Sequence, residues 1–356
     1  MDDSARTFLF QYLNNASPTG FEESGQRLWL DYIRPYIDTY ISDTYGTVVG
    51  VVNPEADYKV VIEAHADEIS WFVHYITDDG YIYLKRNGGS DAVIAPSMRV
   101  NIWTQRGPVK AVFGYPAIHV RELEKDQAPK VKDIFLDCGA TSKAQVLEMG
   151  INIGDVATFE DELIELGPDY LCGRALDNRI GGFMIAEVLR RLHTNGVKLP
   201  FGLYVVNSVQ EEIGLRGAEM IANRIKPNVA IVTDVTHDTY SPMYKKLEQG
   251  DQKCGNGPVL TFGPAVQNNL LKLIFQAAEE NNIAVQRAVA SRFTGTDTDA
   301  FAYAAGGIAS ALISLPLKYM HTTVETVHKA DVEAVINLIY HSVLKIENGH
   351  DFRYIK

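Results

Sequence analysis

The chain has 356 residues, 46% hydrophobic and 22% charged, enough for one large domain or two modest ones with a real core. Its net charge of −12 has no offsetting basic stripe, which argues against nucleic acid as a partner. No apolar run approaches the roughly 18 residues that span a membrane, and "MDDSARTFLF" has no basic region ahead of an apolar stretch, so no secretory signal is read. Cys138, Cys172 and Cys254 are odd in number and far apart. They suit neither a disulfide framework nor a thiolate zinc site, and a reducing cytoplasm is the expected location.

Residues 5–14 read as a short helix. "SPTGFEES" breaks it and caps a second helix, with Leu28, Leu30, Ile33 and Ile37 mostly on one side. At "YGTVVGVV" and "KVVIEAHAD" the pattern changes to apolar strands. The texture differs from about Ile69 to Glu162. "WFVHYITDDGYIYLKRN" places two β-rich runs around Asp79-Gly80, a hairpin signal, and "RVNIWTQRGPVKAVFG" repeats it around Gly107-Pro108. With "KAQVLEMG" as one short helix, this stretch reads as a small β-rich module, a barrel or a sandwich.

After "CGRALDNR", Ile180, Met184, Ile185, Val188, Leu189 and Leu192 follow a helical period. The strand "FGLYVVNSV", a helix through Ile225, the strand "VAIVTDV", "PVLTFG", a helix near 267–281, "IASALISLPL" and a last helix follow. Val332, Val335, Ile336, Ile339 and Val343 give that last helix its buried stripe. Strands alternating with helices predict an α/β fold, a mixed sheet covered by helices on both faces, with the β module inserted between its two flanks.

Several polar residues stand where apolar strands run out: His65 and Asp67 after "VVIEA", Glu211 and Glu212 after "LYVVNSVQ", Asp234 in "VAIVTD", and His321 after "ALISLPLKYM". Asp177 opens a helix in "ALDNRIGG". Each has an ordinary reading when taken alone. His65 and Asp67 could be a surface pair, Asp177 a helix N-cap, the adjacent glutamates a solvated turn, Asp234 a turn residue and His321 a structural histidine. Together they sit at comparable element ends, and ligands of open α/β sheets bind beyond the carboxyl ends of the strands. Imidazole with carboxylate suits zinc, cobalt or manganese better than magnesium or calcium. The remaining histidines keep the structural reading, with His237 and Asp238 as weaker candidates for the rim of the site. Gly181-Gly182 reads as close helix–sheet packing. No dinucleotide or Walker glycine pattern follows a strand, and no G-x-S-x-G elbow is present.

"AHADEI", "RALDNRIGG", "VQEEIGLRGA", "TDVTHD", "TGTDTDAFA" and "LKYMHTTVE" occur in the order seen in the tetrahedral aminopeptidases, which the chain resembles over almost its whole length. These are dinuclear metallopeptidases that include glutamyl and leucyl aminopeptidases, some carrying an endoglucanase label. The resemblance implies an α/β catalytic domain (1–68 and 163–356) with an inserted β-barrel dimerisation domain (69–162), and dimers that build a tetrahedral dodecamer. It implies that His65, Asp177 and Asp234 hold one divalent ion. Asp177 would bridge to a second, held by Glu212 and His321, with zinc or cobalt favoured over manganese. Glu211 would be the general base, with Asp67 behind His65 orienting its ring. A cis Asp177–Asn178 bond is implied as well. The substrates would be peptides with a free N-terminus. The chain departs from the family pattern at Lys318, where arginine is usual, at Ser70, where glycine is usual, and in "DVTHDTYSPMYKKLEQGDQKCGNGP", which lacks the expected Pro-Gly and is longer than usual. None of these removes a ligand; they bear on the substrate pocket. Three rivals stand beside this reading: a metallohydrolase acting on another amide, a catalytically inactive assembly protein, and a glycan hydrolase, which would leave the histidines without a role.

Overall fold

The computed structural model describes residues 1–121 and 127–356. Helices α1 (Asp3–Asn14) and α2 (Glu23–Ile33) lead into strands β1 (Thr39–Ser42), β2 (Val48–Val52) and β3 (Lys59–His65). Next come β4 (Ser70–Ile76), β5 (Ile82–Asn87), β6 (Arg99–Thr104), β7 (Gly107–Phe113) and β8 (Phe135–Asp137), then α3 (Lys143–Glu148) and β9 (Val156–Phe159). The chain continues through β10 (Ile164–Leu166), β11 (Tyr170–Gly173), α4 (Leu176–Thr194), β12 (Gly202–Ser208), α5 (Arg216–Ile225) and β13 (Val229–His237). It closes with α6 (Lys246–Gln249), β14 (Val259–Phe262), α7 (Asn268–Glu280), β15 (Gln286–Val289), α8 (Asp297–Tyr303), β16 (Ala309–Lys318), β17 (Glu325–His328) and α9 (Lys329–Lys345).

The apolar runs legible in the sequence become the middle of a mixed sheet in the order β1-β2-β12-β3-β13-β16-β17-β11-β10, with β14 and β15 branching from β16. Strands β12, β3, β13 and β16 are parallel to one another, flanked by antiparallel β2 and β17. Buried on both faces, they read as continuous runs rather than alternations. On one face, α1, α2, α4, α7 and α9 cover the larger core; on the other, α5 and α8 cover a smaller one.

Glycine permits the close approach of α4. A Cβ on Gly181 would lie 2.8 Å from the Ala64 Cβ of β3, and one on Gly182 would lie 2.8 Å from Asn207 Oδ1 of β12.

The β-rich module is a closed barrel, β4-β5-β8-β7-β6-β9, around its own core of Trp71, Ile82, Val100, Ile102 and Leu136. Gly80 takes the left-handed φ of +90° that its hairpin turn needs. The second hairpin turns at residues 105–106, ahead of Gly107-Pro108, which already belong to β7.

The second helix differs from expectation. Its buried stripe is Gly25, Gln26, Trp29 and Ile33, while Leu28 and Leu30 are half-buried and Ile37 lies beyond the helix end. Trp29 wins the inner position because its Nε1–H donates to Gly182 O at 2.8 Å, while Gln26 is satisfied by Asn207 O at 2.7 Å. No helix among the described residues is long and apolar enough to cross a membrane.

Candidate functional site

The parallel register brings the candidate residues to one level. Ser208 pairs with His65 and Asp234 with Ser314, and the register that pairs Val232 with Glu63 sets Asp234 level with His65. The carboxyl ends of β3, β12 and β13 therefore meet where β16 runs on towards His321. Asp177 enters from the start of α4. Its backbone there is not helical, and the Asp177–Asn178 bond is cis. Around the cluster, Ala175, Gln210, Leu215, Tyr319 and His321 all take left-handed φ values near +60°, a conformation that non-glycine residues hold only where the surroundings impose it.

His65, 1% exposed, sits at the focus. Its Nε2 lies 3.3 Å from Asp177 Oδ1, 3.8 Å from Asp234 Oδ1 and 3.8 Å from Glu211 Oε2, and its Nδ1 lies 3.3 Å from Asp67 Oδ1. The other Asp177 oxygen, Oδ2, is 3.3 Å from His321 Nε2, which is also 3.4 Å from Glu212 Oε2. Asp177 thus faces two histidines with two different oxygens. Two sets of ligand atoms, His65–Asp177–Asp234 and Asp177–Glu212–His321, each lie within 4.8 Å of one another; His65, Glu211 and Glu212 form a third such set.

Asp67 does more than stand behind His65. Its Oδ1 accepts from Glu211 N at 3.0 Å and its Oδ2 from Glu212 N at 3.3 Å and from Thr19 Oγ1 at 2.8 Å. One buried carboxylate therefore fixes the backbone of both glutamates, which frees their side chains to diverge. Glu325 does the same on the far side, accepting from Asp177 N at 2.9 Å and His321 N at 2.7 Å. Behind Asp67, Glu68 accepts from Ser17 N at 2.7 Å and is paired with Arg174 and Arg179. The inserted barrel closes the side: a Cβ on Gly89 would lie 2.5 Å from His321 Nδ1, and one on Gly88 would lie 3.2 Å from Glu212 Cβ.

Sequence reasoning assigned nothing to Glu325 or Thr19, although both stand in or beside quoted motifs. Their roles depend on partners 148 and 48 residues away. Asp238, a weaker candidate, is structural: its carboxylate accepts from Tyr240 N at 2.9 Å and Cys254 N at 2.7 Å.

The electrostatics are those of an acidic cluster short of positive charge. Burial pushes Glu211 up to about 10, with Asp234 adding to the effect and His65 opposing it. Burial likewise raises Glu212 and Asp234. Burial alone would also raise Asp177, but hydrogen bonds from His321 and His65 outweigh it and hold this carboxyl below the usual range. His321 is pushed up to about 11 by Asp177 and Glu212. The donor set fits a cation. One imidazole N–H cannot serve the three carboxylates around His65 Nε2, whereas a positive ion at their focus can, and a buried charge needs such pairing.

The site opens into a cavity of about 890 Å³, walled by His65, Asp177, Glu211, Glu212, Asp234 and His321, and further by Leu215, His237, Phe293, Tyr303 and Met320.

A family model described as M42 glutamyl aminopeptidase matches residues 46–338. The chain belongs to that family. The family is metal-dependent, and the protein is a peptide-bond hydrolase with aminopeptidase function. Lysyl aminopeptidase of Pyrococcus furiosus is 32% identical over 323 residues, 90% of this chain and 91% of that protein. A TET aminopeptidase from a marine sediment archaeon of the Thaumarchaeota superposes with a TM-score of 0.92 at 26% identity, covering 97% of this chain and 98% of that one. The TET1 peptidase of Pyrococcus horikoshii, which can assemble into a tetrahedron or a large octahedral shell, gives 0.84 at 28% identity, with 95% and 98% covered. The M42 chain described here thus matches aminopeptidases along nearly all of their length.

Proposed function

We propose that the protein removes N-terminal residues from peptides with a free N-terminus, using two divalent metal ions and Glu211 as general base. The observation that carries this reading is the double-faced Asp177, with Oδ1 at 3.3 Å from His65 and Oδ2 at 3.3 Å from His321. His65, Asp177 and Asp234 would hold one ion and Asp177, Glu212 and His321 the other, with zinc or cobalt ahead of manganese. Bound there, the pair supplies Lewis-acid polarisation of the scissile carbonyl and lowers the pKa of water.

The chain's own residues do the rest. Asp67 holds Glu211 and Glu212 by their backbone N–H groups and keeps the His65 ring in place. Glu211 takes a proton from the attacking water as the C–O bond forms. It returns that proton to the nitrogen as the C–N bond breaks, leaving a free amino acid and a shortened peptide. Its carboxyl is pushed up to about 10 without cations, so the positive charge of the bound ions is what makes it a base at neutral pH. The substrate's free α-amino group would anchor on the Glu212–His321 side of the site, which favours cleavage from the end of the chain.

We extend the proposal to organisation and location. Residues 1–68 and 163–356 form the catalytic domain, and residues 69–162 form the dimerisation domain of a homo-oligomer whose dimers build a tetrahedral dodecamer; TET1 peptidase can assemble into a tetrahedron. Tyr75, Tyr81 and Ile153, 52%, 43% and 63% exposed on the inserted module, supply apolar contact surface. Three free cysteines support a cytoplasmic location.

The test compares a peptide with its N-acetylated form before and after chelation. Cleavage of the free peptide alone, lost on chelation and restored by zinc, cobalt or manganese, is expected. Equal cleavage of the acetylated peptide would favour another amide substrate, and full activity without metal would remove the mechanism.

A further inference from the structure

The proposed mechanism leaves His237 of the cavity wall unused. It is the last residue of β13, three residues past Asp234, and lines the cavity together with Thr236, Met320 and His321. Its Nδ1 lies 3.3 Å from Tyr244 Oη, with the two rings 5.7 Å apart and tilted by 39°. Tyr244 belongs to the 238–257 segment, where the sequence departs from the family pattern.

That segment is tied down at both ends. Asp238 accepts from Tyr240 N and Cys254 N, Thr239 N donates to Gln252 O at 2.8 Å, and Asp331 accepts from Gly257 N at 2.8 Å. A tyrosine hydroxyl carried on such an anchored excursion is held against the imidazole rather than meeting it by chance.

The pairing has a chemical consequence. Partial burial holds His237 below its ordinary 6.5, so the ring is neutral at neutral pH and carries one N–H. In the pairing where Nδ1 accepts from the tyrosine O–H, the ring proton sits on Nε2. The rest of the wall near the chemistry is acceptor-rich: Asp177, Glu211, Glu212 and Asp234 all offer carboxylate oxygens. A peptide brings carbonyl oxygens into this space, and these need donors.

Resting on the aminopeptidase reading above, we propose that His237, held in its Nε2–H tautomer by Tyr244, donates a hydrogen bond to a carbonyl oxygen of the bound peptide. It is a substrate-binding and specificity-determining residue outside the ligand set. The 238–257 segment acts on the substrate through it.

Steady-state kinetics on a tripeptide and on the p-nitroanilide sharing its N-terminal residue test this, with metal content and melting temperature measured alongside. A neutral hydrogen bond lost from uniform binding raises KM about 3–10-fold and leaves kcat within about 2-fold. His237→Ala should show that split, His237→Gln, which keeps an N–H donor, should recover most of it, and Tyr244→Phe should lose about 2–3-fold. An effect confined to the tripeptide puts the contact on the carbonyl beyond the scissile bond; an equal effect on both substrates puts it on the scissile carbonyl. KM within about 2-fold of wild type for His237→Ala on both substrates overturns the proposal. So does a loss that glutamine does not recover and that tracks reduced metal content or melting temperature. A wild type that cleaves neither substrate overturns the aminopeptidase reading itself, and this inference with it.

Discussion

Replacing Glu325 by glutamine keeps the side chain's shape and removes one of its two acceptor oxygens. Oε2 accepts from Asp177 N at 2.9 Å in buried surroundings and Oε1 from His321 N at 2.7 Å in part-buried ones. The amide oxygen of glutamine serves only one of these donors, and its NH₂ faces the other N–H. Losing a hydrogen bond to a charged acceptor costs about 1.5–3 kcal/mol. An unfolding entropy of about 2.1 cal/mol/K per residue over 356 residues converts that to a fall in melting temperature of about 2–4 °C. The effect on ligands is larger, because partners that orient metal ligands are typically worth about 10–100-fold in affinity. Zinc titration against a competing chelator should show weakening of that size in Glu325→Gln, with activity recovered in excess metal. Unchanged zinc affinity and an unchanged melting temperature in the loaded protein would refute a positioning role for Glu325.

Gly89→Ala should disturb His321, since the added Cβ would come 2.5 Å from its Nδ1; metal analysis should show partial loss from one of two sites, and full occupancy would show that the ring moves aside freely. The chelated protein should lose stability as pH rises. Glu211 and His321 both have folded-state values raised, to about 10 and about 11, so their contribution is fully present below their unfolded values of about 4.5 and 6.5 and is lost as pH climbs through the folded ones. Melting curves from pH 6 to 10 should fall more steeply with chelator than with zinc, and parallel curves would contradict the electrostatic account. Deleting the inserted segment 69–162 should give smaller particles by light scattering, and an unchanged large assembly would remove its proposed role in dimerisation.

The sheet and its chemistry were legible in the sequence because apolar runs lead into His65 at the end of β3 and Asp234 within β13, and into Glu211 and His321 three residues past β12 and β16. A polar residue straight after a buried run marks a strand's carboxyl end, whatever the strand order. Strand order and register were not legible, since parallel pairing joins strands far apart in the chain, such as Lys59 with Gly202 and Val60 with Val229. The same limit hid Glu325, Thr19 and the Glu68–Arg174–Arg179 group, each of which looks like an ordinary polar residue until its distant partner is known. The stripe of α2 was misread for a related reason. Leucine outranks glutamine and glycine in any hydrophobic count, but Gln26 is buried because Asn207 satisfies it, and Gly25 because a Cβ there would meet Ser17 Oγ at 2.9 Å. The barrel was separable by its hairpins, yet the approach of Gly88 and Gly89 to Glu212 and His321 had no signal beyond two adjacent glycines.

The division of labour between Glu211 and Glu212 is the centre of this account. Their side chains part from a backbone held by one carboxylate, Glu212 towards His321 at 3.4 Å and Glu211 towards His65 at 3.8 Å. Metal content and single-turnover peptide cleavage, measured together on Glu211→Gln and Glu212→Gln, test it most directly. Glu211→Gln should keep both ions and lose about 10²–10⁴-fold in rate, the usual cost of removing a general base. Glu212→Gln should fall towards one ion per chain. An emptied metal site in Glu211→Gln with both ions retained in Glu212→Gln would reverse the two roles, and full activity in both variants would contradict the mechanism.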